Sequence, residues 1–137
     1  MQLNYFTDYS LRILMLLSQT NKKQMTSRDL ADFYDISLNH VVKIVHRLGQ
    51  LGYVDNTKGR GGGVRLACAP KDIQLGLLCQ QLESHCLVEC FSDEKKCVIF
   101  SKCLFKNVLK EALDAFIQTL SRYTLEDLVD RQKNWDF

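Results

Sequence analysis

Thr26-Ser27-Arg28-Asp29-Leu30-Ala31-Asp32-Phe33-Tyr34-Asp35-Ile36-Ser37-Leu38-Asn39-His40-Val41-Val42-Lys43-Ile44-Val45-His46-Arg47-Leu48 is the stretch that decides the fold. Thr26 followed three residues later by Asp29 has the form of a capping box, in which hydroxyl and carboxylate satisfy free N–H groups of a first helical turn. It opens a short helix through Leu30, Ala31, Phe33 and Tyr34. Asp35-Ile36-Ser37 makes a turn, and Ser37 caps the next helix. There Leu38, Val41, Val42, Val45 and Leu48 form one apolar stripe, with Asn39, His40, Lys43, His46 and Arg47 on the remaining faces. Gly49 and Gly52 end it. Tyr53-Val54 and Val64-Arg65-Leu66-Ala67 then flank the glycine-rich, basic tip Asp55-Asn56-Thr57-Lys58-Gly59-Arg60-Gly61-Gly62-Gly63, which reads as a β-hairpin. Two short helices meeting at a tight turn, followed by a basic hairpin, predict a winged helix-turn-helix, an order of elements suited to DNA.

Toward the N-terminus, Thr7 is the expected cap of a first helix carrying Leu11, Leu14, Met15 and Leu17 on one face and Arg12 on the other. Toward the C-terminus the character changes at Pro70, the single proline. Residues 1–70 hold nine Lys/Arg against five Asp/Glu, whereas residues 71–137 hold nine against eleven. The net charge of +2 over 137 residues therefore conceals a basic half and an acidic half. Ile73, Leu75, Leu77, Leu78 and Leu82 predict a helix to about Glu83. Periodicity then stops, and residues 84–103 read as a cysteine-bearing loop around the charged run Ser92-Asp93-Glu94-Lys95-Lys96. Leu104, Phe105, Val108, Leu109, Ala112, Leu113, Phe116 and Leu120 mark a long amphipathic helix, and Thr124 with Asp127 caps a last one through Leu125, Leu128 and Val129. The expected fold is mainly α: a DNA-binding region over 1–70, and a loop with dimerisation helices over 71–137. A chain this short buries only about two thirds of its unfolded surface, so a partner subunit or a bound group would add to a modest core.

Asn39, His40 and Lys43 occupy early, outward positions of the third helix, where side chains reach base edges, and Ser37 just before them is also an expected DNA contact. Arg28, Arg47, Lys58, Arg60 and Arg65 are the expected phosphate contacts, which carry the sequence-independent part of affinity. Glycines at the wing tip allow close approach to a sugar-phosphate backbone, with Arg60 or Lys58 placed to enter a minor groove. His46 reads as a neighbour of the core or backbone.

The six cysteines are Cys68, Cys79, Cys86, Cys90, Cys97 and Cys103. Asp8 and Arg12 just ahead of the short apolar run Ile13–Leu17 are unlike a signal peptide, so a cytoplasmic chain with reduced thiols is expected. No stretch approaches the roughly 20 apolar residues of a transmembrane helix, and no membrane partner is expected. Cys90, Cys97 and Cys103 are separated by six and five residues. Three soft thiolates on one loop can hold three corners of an iron–sulfur cluster. Zinc held by Cys86, Cys90, Cys97 and Cys103 satisfies the same count, and a metal-free thiol switch is a third reading. Cys79 shares an apolar face with Leu75 and Leu82, and Cys68 stands at a strand end; both are read as core. An enzyme is not expected, because no Ser-His-Asp or Cys-His-Asp grouping is evident and His40, His46 and His85 lie in elements already read otherwise.

Met1-Gln2-Leu3, Phe6-Thr7-Asp8-Tyr9, Leu11-Arg12, Asn39-His40-Val41-Val42-Lys43-Ile44, the wing Gly59–Leu66, the three-cysteine loop and Tyr123–Val129 together resemble the NsrR-type nitric-oxide-sensing repressors. These belong to the Rrf-two family of winged-helix regulators, and the similarity spans nearly the whole chain. The resemblance implies a homodimer on a pseudo-palindromic double-stranded DNA operator. Each subunit would hold a cluster of two or four irons on Cys90, Cys97 and Cys103, with Asp8 of the partner subunit completing it and Cys86 as a possible substitute. Nitric oxide would release the DNA and so derepress genes for its detoxification. Relatives of the IscR branch, which regulate iron–sulfur or iron metabolism, have a histidine three residues after the last cysteine, where this chain has Lys106. Many relatives have arginine where this wing has Lys58, which keeps the charge without the bidentate fork. The helix from Leu104 to Leu120 is the expected dimer interface.

Overall fold

The computed structural model describes residues 3–57, 59–83, 87–88, 91 and 97–130. In chain order it has α1 (Tyr5–Gln19), α2 (Ser27–Tyr34), α3 (Leu38–Gln50), β1 (Val54–Thr57), β2 (Gly63–Leu66), α4 (Leu75–Leu82), α5 (Leu104–Leu120) and α6 (Leu125–Asp130), with short 3-10 turns at Pro70–Asp72 and Phe100–Lys102. This is the mainly helical winged helix-turn-helix that the sequence predicts. The chain forms two compact units, one running to Ile73 and resuming at Thr124, the other spanning Gln74–Tyr123.

In the first unit, α1 begins earlier than expected. Asn4, not Thr7, is its cap, because the extended Asn4 offers its side-chain oxygen to the free Thr7 N–H at 2.8 Å. Thr7 is fully buried inside the helix, and its hydroxyl has no hydrogen-bond partner. Ile13, Leu14, Leu16 and Leu17 form the buried face. The Thr26/Asp29 capping box on α2 is present in both directions. Asp35 ends α2 in the left-handed conformation at φ 51°, a region that Asp tolerates better than most residues, and this sharp reversal makes the turn into α3. Ser37 accepts the His40 N–H at 3.2 Å as the α3 cap.

The buried stripe of α3 is Val41, Ile44, Val45 and Leu48. It differs from the expected stripe in three places: the i, i+3, i+4, i+7 geometry turns Ile44 inward, leaves Val42 49% exposed and leaves Leu38 only half-buried. Gly49 lies within the helix, and Gly52, at φ 81°, makes the turn after it.

β1 and β2 pair antiparallel in the register Val54↔Leu66, Asp55↔Arg65, Asn56↔Val64 and Thr57↔Gly63. Met25 adds a single bridge to Val64, with N–H···O distances of 3.0 and 2.7 Å, so the segment before α2 anchors the wing. A Cβ on Gly62 would overlap the Thr57 carbonyl, which reserves that place in the tip for glycine.

The last helix completes this unit. Thr124 and Asp127 cap α6 reciprocally, and the Leu125 N–H donates to the Ile73 carbonyl at 2.9 Å. Leu125 and Ile73 are both fully buried, and α6 packs on α1 and on the 70–72 turn.

In the second unit, α4 packs against α5. A Cβ at Gly76 would meet the Ser121 backbone nitrogen at 2.8 Å, so glycine permits this close approach. The Leu75 N–H donates to the Tyr123 carbonyl at 3.0 Å, and the Gln74 amide donates to the Ser121 carbonyl at 3.0 Å. Leu75, Leu78 and Cys79 are buried, whereas α5 has no buried residue at all. Leu104, Phe105 and Val108 on α5 are 78, 65 and 60% exposed.

Candidate nucleic-acid interface and cysteine site

Asn39, Lys43 and Arg47 recur every fourth residue on α3 and are all exposed, as is Arg28 on α2. This spacing lines their side chains along one helix face. Ser37 is exposed but serves as the α3 cap. His40 faces elsewhere. It is half-buried, its ring lies edge-on to Phe6 at 6.2 Å and to Tyr9 at 6.0 Å, and its Nε2 is buried without a hydrogen-bond partner. His46 is exposed, with its Nε2 3.1 Å from the Gln50 amide.

Arg60 is exposed at the wing tip between Gly59 and Gly61, whose φ angles are 97° and 78°. Lys58 lies outside the described residues. Arg65 stands directly across the ladder from Asp55, and their charges meet at 3.1 Å with both side chains about half exposed. A pair this exposed adds about 0–1 kcal/mol to stability at most, but it already offsets part of the Arg65 charge. The Gln24 amide donates to the Gly61 carbonyl, tying the tip to the body of the unit.

α1 presents the other candidate, Asp8. Its carboxylate is gripped at both oxygens by Arg12, at 2.9 Å from Nη2 and 3.0 Å from Nε. The hydrogen bond to Asp8 is the main cause holding the Arg12 guanidinium above its ordinary pKa. The guanidinium carbon also sits 5.2 Å from the centre of the Tyr9 ring. The Arg12 carbonyl accepts the Tyr34 hydroxyl at 2.7 Å, and burial pushes that phenol up to about 12. Tyr9 lies edge-on to Tyr34 at 6.1 Å, and a cavity of about 370 Å³ lined by Tyr5, Tyr9, Ile36, Ser37 and His40 opens beside it. Sequence reading missed this aromatic cluster. Its one local signal is Tyr5 and Tyr9 at the i, i+4 spacing, which their stacked rings 6.5 Å apart bear out.

Cys97 is exposed, and Cys103 is half-buried at the start of α5, where its side chain makes no capping bond. The 3-10 turn Phe100–Lys102 separates them, with Lys106 Nζ 3.8 Å from the centre of the Phe100 ring. Cys86, Cys90 and His85 lie outside the described residues. Among the described residues no three His, Cys, Asp or Glu side chains converge on a metal-sized point. The donors present still suit a soft metal or a cluster, because Cys97 and Cys103 are free thiols and soft sulfur favours iron or zinc. Cys79 is a core residue, 1% exposed, its thiol pushed up by burial. Cys68 is half-buried rather than core, because the chain has already left β2 and its ladder; burial raises its thiol as well.

The family model Rrf2, described as an iron-dependent transcriptional regulator, matches residues 3–131. The HTH-type transcriptional regulator NsrR of Shouchella clausii is 46% identical over 132 residues, covering 94% of this chain and 89% of its own. The regulator of the same name from Bacillus subtilis is 44% identical over 137 residues, covering 98% and 94%. Among solved structures, T. potens IscR superposes with a TM-score of 0.76 at 18% identity, covering 100% of this chain and 93% of its own, which bears on the fold alone. These relatives are transcriptional regulators and not enzymes. The chain belongs to the Rrf2 family of transcriptional regulators, in its NsrR-type branch.

Proposed function

We propose that this chain is a homodimeric, DNA-binding repressor, switched by nitric oxide acting at an iron–sulfur cluster that Cys90, Cys97 and Cys103 hold with Asp8 of the partner subunit. The observation that carries the reading is the pair of free thiols, Cys97 and Cys103, flanking a single turn at the start of α5 in a chain whose relatives are named NsrR. When bound, the cluster supplies iron that reacts with nitric oxide.

The chain's own residues do the rest. Thiolates bind iron firmly, whereas a carboxylate is a harder and more weakly held ligand, which makes the Asp8 corner the exchangeable one. Asp8 has two possible partners, a metal and Arg12, and the structure shows the second. Asn39 and Lys43 read base edges from the exposed face of α3, and Arg28, Arg47, Lys58, Arg60 and Arg65 grip phosphates. Leu104, Phe105 and Val108 on α5 meet their counterparts in a second copy, which spaces two reading helices about one duplex turn apart on a pseudo-palindrome. Residues 1–70 supply the DNA-reading region and 71–137 the sensing and dimerising one, in a cytoplasmic protein.

Anaerobic purification with visible absorption and analysis of iron and acid-labile sulfide tests this. Iron and sulfide in equal amounts, with operator binding lost on adding nitric oxide, is the expected result. A colourless protein with stoichiometric zinc would overturn the cluster in favour of a zinc-held or thiol-switched regulator.

A further inference from the structure

We infer that His40 is not a base reader but the positioning residue that joins α1 to the first turn of the recognition helix, through the chain of contacts Asp8–Arg12–Tyr9–His40. The inference deepens the proposed function and rests on it for the signal, but not for the chain of contacts. Arg12 grips Asp8 and lies over the Tyr9 ring; Tyr9 lies edge-on to His40; and the His40 backbone N–H closes the Ser37 cap. Phe6 holds the same imidazole from the preceding turn of α1. Each link is a direct contact, so whatever displaces Asp8 from Arg12 alters the group beneath which Tyr9 packs. The Tyr9 ring in turn touches His40 in the first turn of α3.

The buried Nε2 of His40 favours this role. A ring nitrogen that reads a base must face the groove, and this one is shut away from solvent. Buried polar atoms without partners are uncommon in folded proteins, and each one asks for a reason in strain or in function. Asn39 and Lys43, on either side of His40 in sequence, are exposed, so α3 divides its early polar residues between DNA and α1.

Two measurements on the full-length chain, prepared anaerobically, test this. The first follows the His40 imidazole by NMR, assigned against the His46 and His85 signals with His40→Phe. Asp8→Asn should shift it, while Asp114→Asn, which weakens the Lys110–Asp114 pair on α5, should not. An unmoved His40 signal in Asp8→Asn overturns the inference whatever cofactor the protein holds. The second uses a duplex selected from a random library by the wild-type protein and compares its affinity before and after nitric oxide. His40→Ala should keep the cluster absorption and the preference for the selected over a scrambled duplex, while the nitric-oxide effect on affinity shrinks by about fivefold or more. His40→Phe, which keeps the ring contacts, should restore that effect. Loss of duplex preference in both variants would make His40 a base reader and sink the inference. A wild-type protein indifferent to nitric oxide would fail the proposed function instead, and the NMR shift would still decide the contact chain.

Discussion

Asp8 and Arg12 face each other one turn apart on α1, with the guanidinium closing on both carboxylate oxygens. The two side chains are 37 and 50% exposed, and exposed i, i+4 pairs contribute only about 0.3–0.5 kcal/mol. Asp8→Ala should therefore barely change the melting temperature of the metal-free protein, yet change how the cluster-loaded protein responds to nitric oxide. A stopped-flow absorption trace identical to that of the wild type would reduce Asp8 to a helix N-terminal charge.

Tyr34 ties α2 to the backbone of α1. Removing its hydroxyl with Tyr34→Phe should cost about 0.5–1.5 kcal/mol in urea denaturation at neutral pH. Its folded-state pKa, about 12, lies above the ordinary 10, so the protonated phenol is the form that folding favours. That contribution is fully present below pH 10 and is lost as pH rises toward 12. Tyr34→Phe should lack this alkaline component.

Lys43 and Arg60 are exposed on α3 and at the wing tip. Lys43→Ala and Arg60→Ala should each weaken duplex binding several-fold with iron content unchanged. A residue that touches phosphate should also lower the log–log salt slope by about 1. Unaltered binding and slope in both variants would argue against this placement of the reading face.

Gly76→Ala should destabilise by about 1–3 kcal/mol, because the added methyl meets not only the Ser121 hydroxyl, which could swing aside, but also the Ser121 backbone, which cannot. Thermal denaturation monitored by circular dichroism is a sufficient check.

Val108→Asp places a charge on the exposed apolar face of α5. Sedimentation should show a dimer for the wild type and a monomer for the variant, and operator affinity should fall with it. A variant that remains a dimer would put the interface elsewhere.

The features legible in the sequence were those set by a few neighbouring residues. The Thr26/Asp29 and Thr124/Asp127 boxes, the Ser37 cap and the hairpin lie where their residue types required, since each satisfies its own backbone groups locally. Thr7 is the expected cap and Asn4 the observed one because both are good capping residues three apart, and only the position of the free N–H groups separates them. Val42 and Ile44 exchanged roles because the helix turns about 100° per residue and apolar character does not report facing. The orientation of His40 depends on rings from α1 more than thirty residues away, and the return of α6 to the first unit depends on Ile73. Neither has a local signature. Of the site residues expected from sequence, Cys86, Cys90 and Lys58 lie outside the described residues; the rest divide between exposed Asn39 and the cations, the Ser37 cap, the free thiols, and Asp8 and His40 at the two ends of the aromatic junction.

The Leu125–Ile73 hydrogen bond has a consequence for how the protein is made. The DNA-reading unit is interrupted: its final helix is encoded after the cysteine-bearing stretch, so a growing chain cannot cover Ile73 and the facing side of α1 until Thr124 and Leu125 have left the ribosome. A product that stops short of α6 therefore carries a reader with an uncovered apolar face. Synthesis order thus couples the two regions, since a finished DNA-reading unit comes only from a chain that already contains its cysteine-bearing stretch.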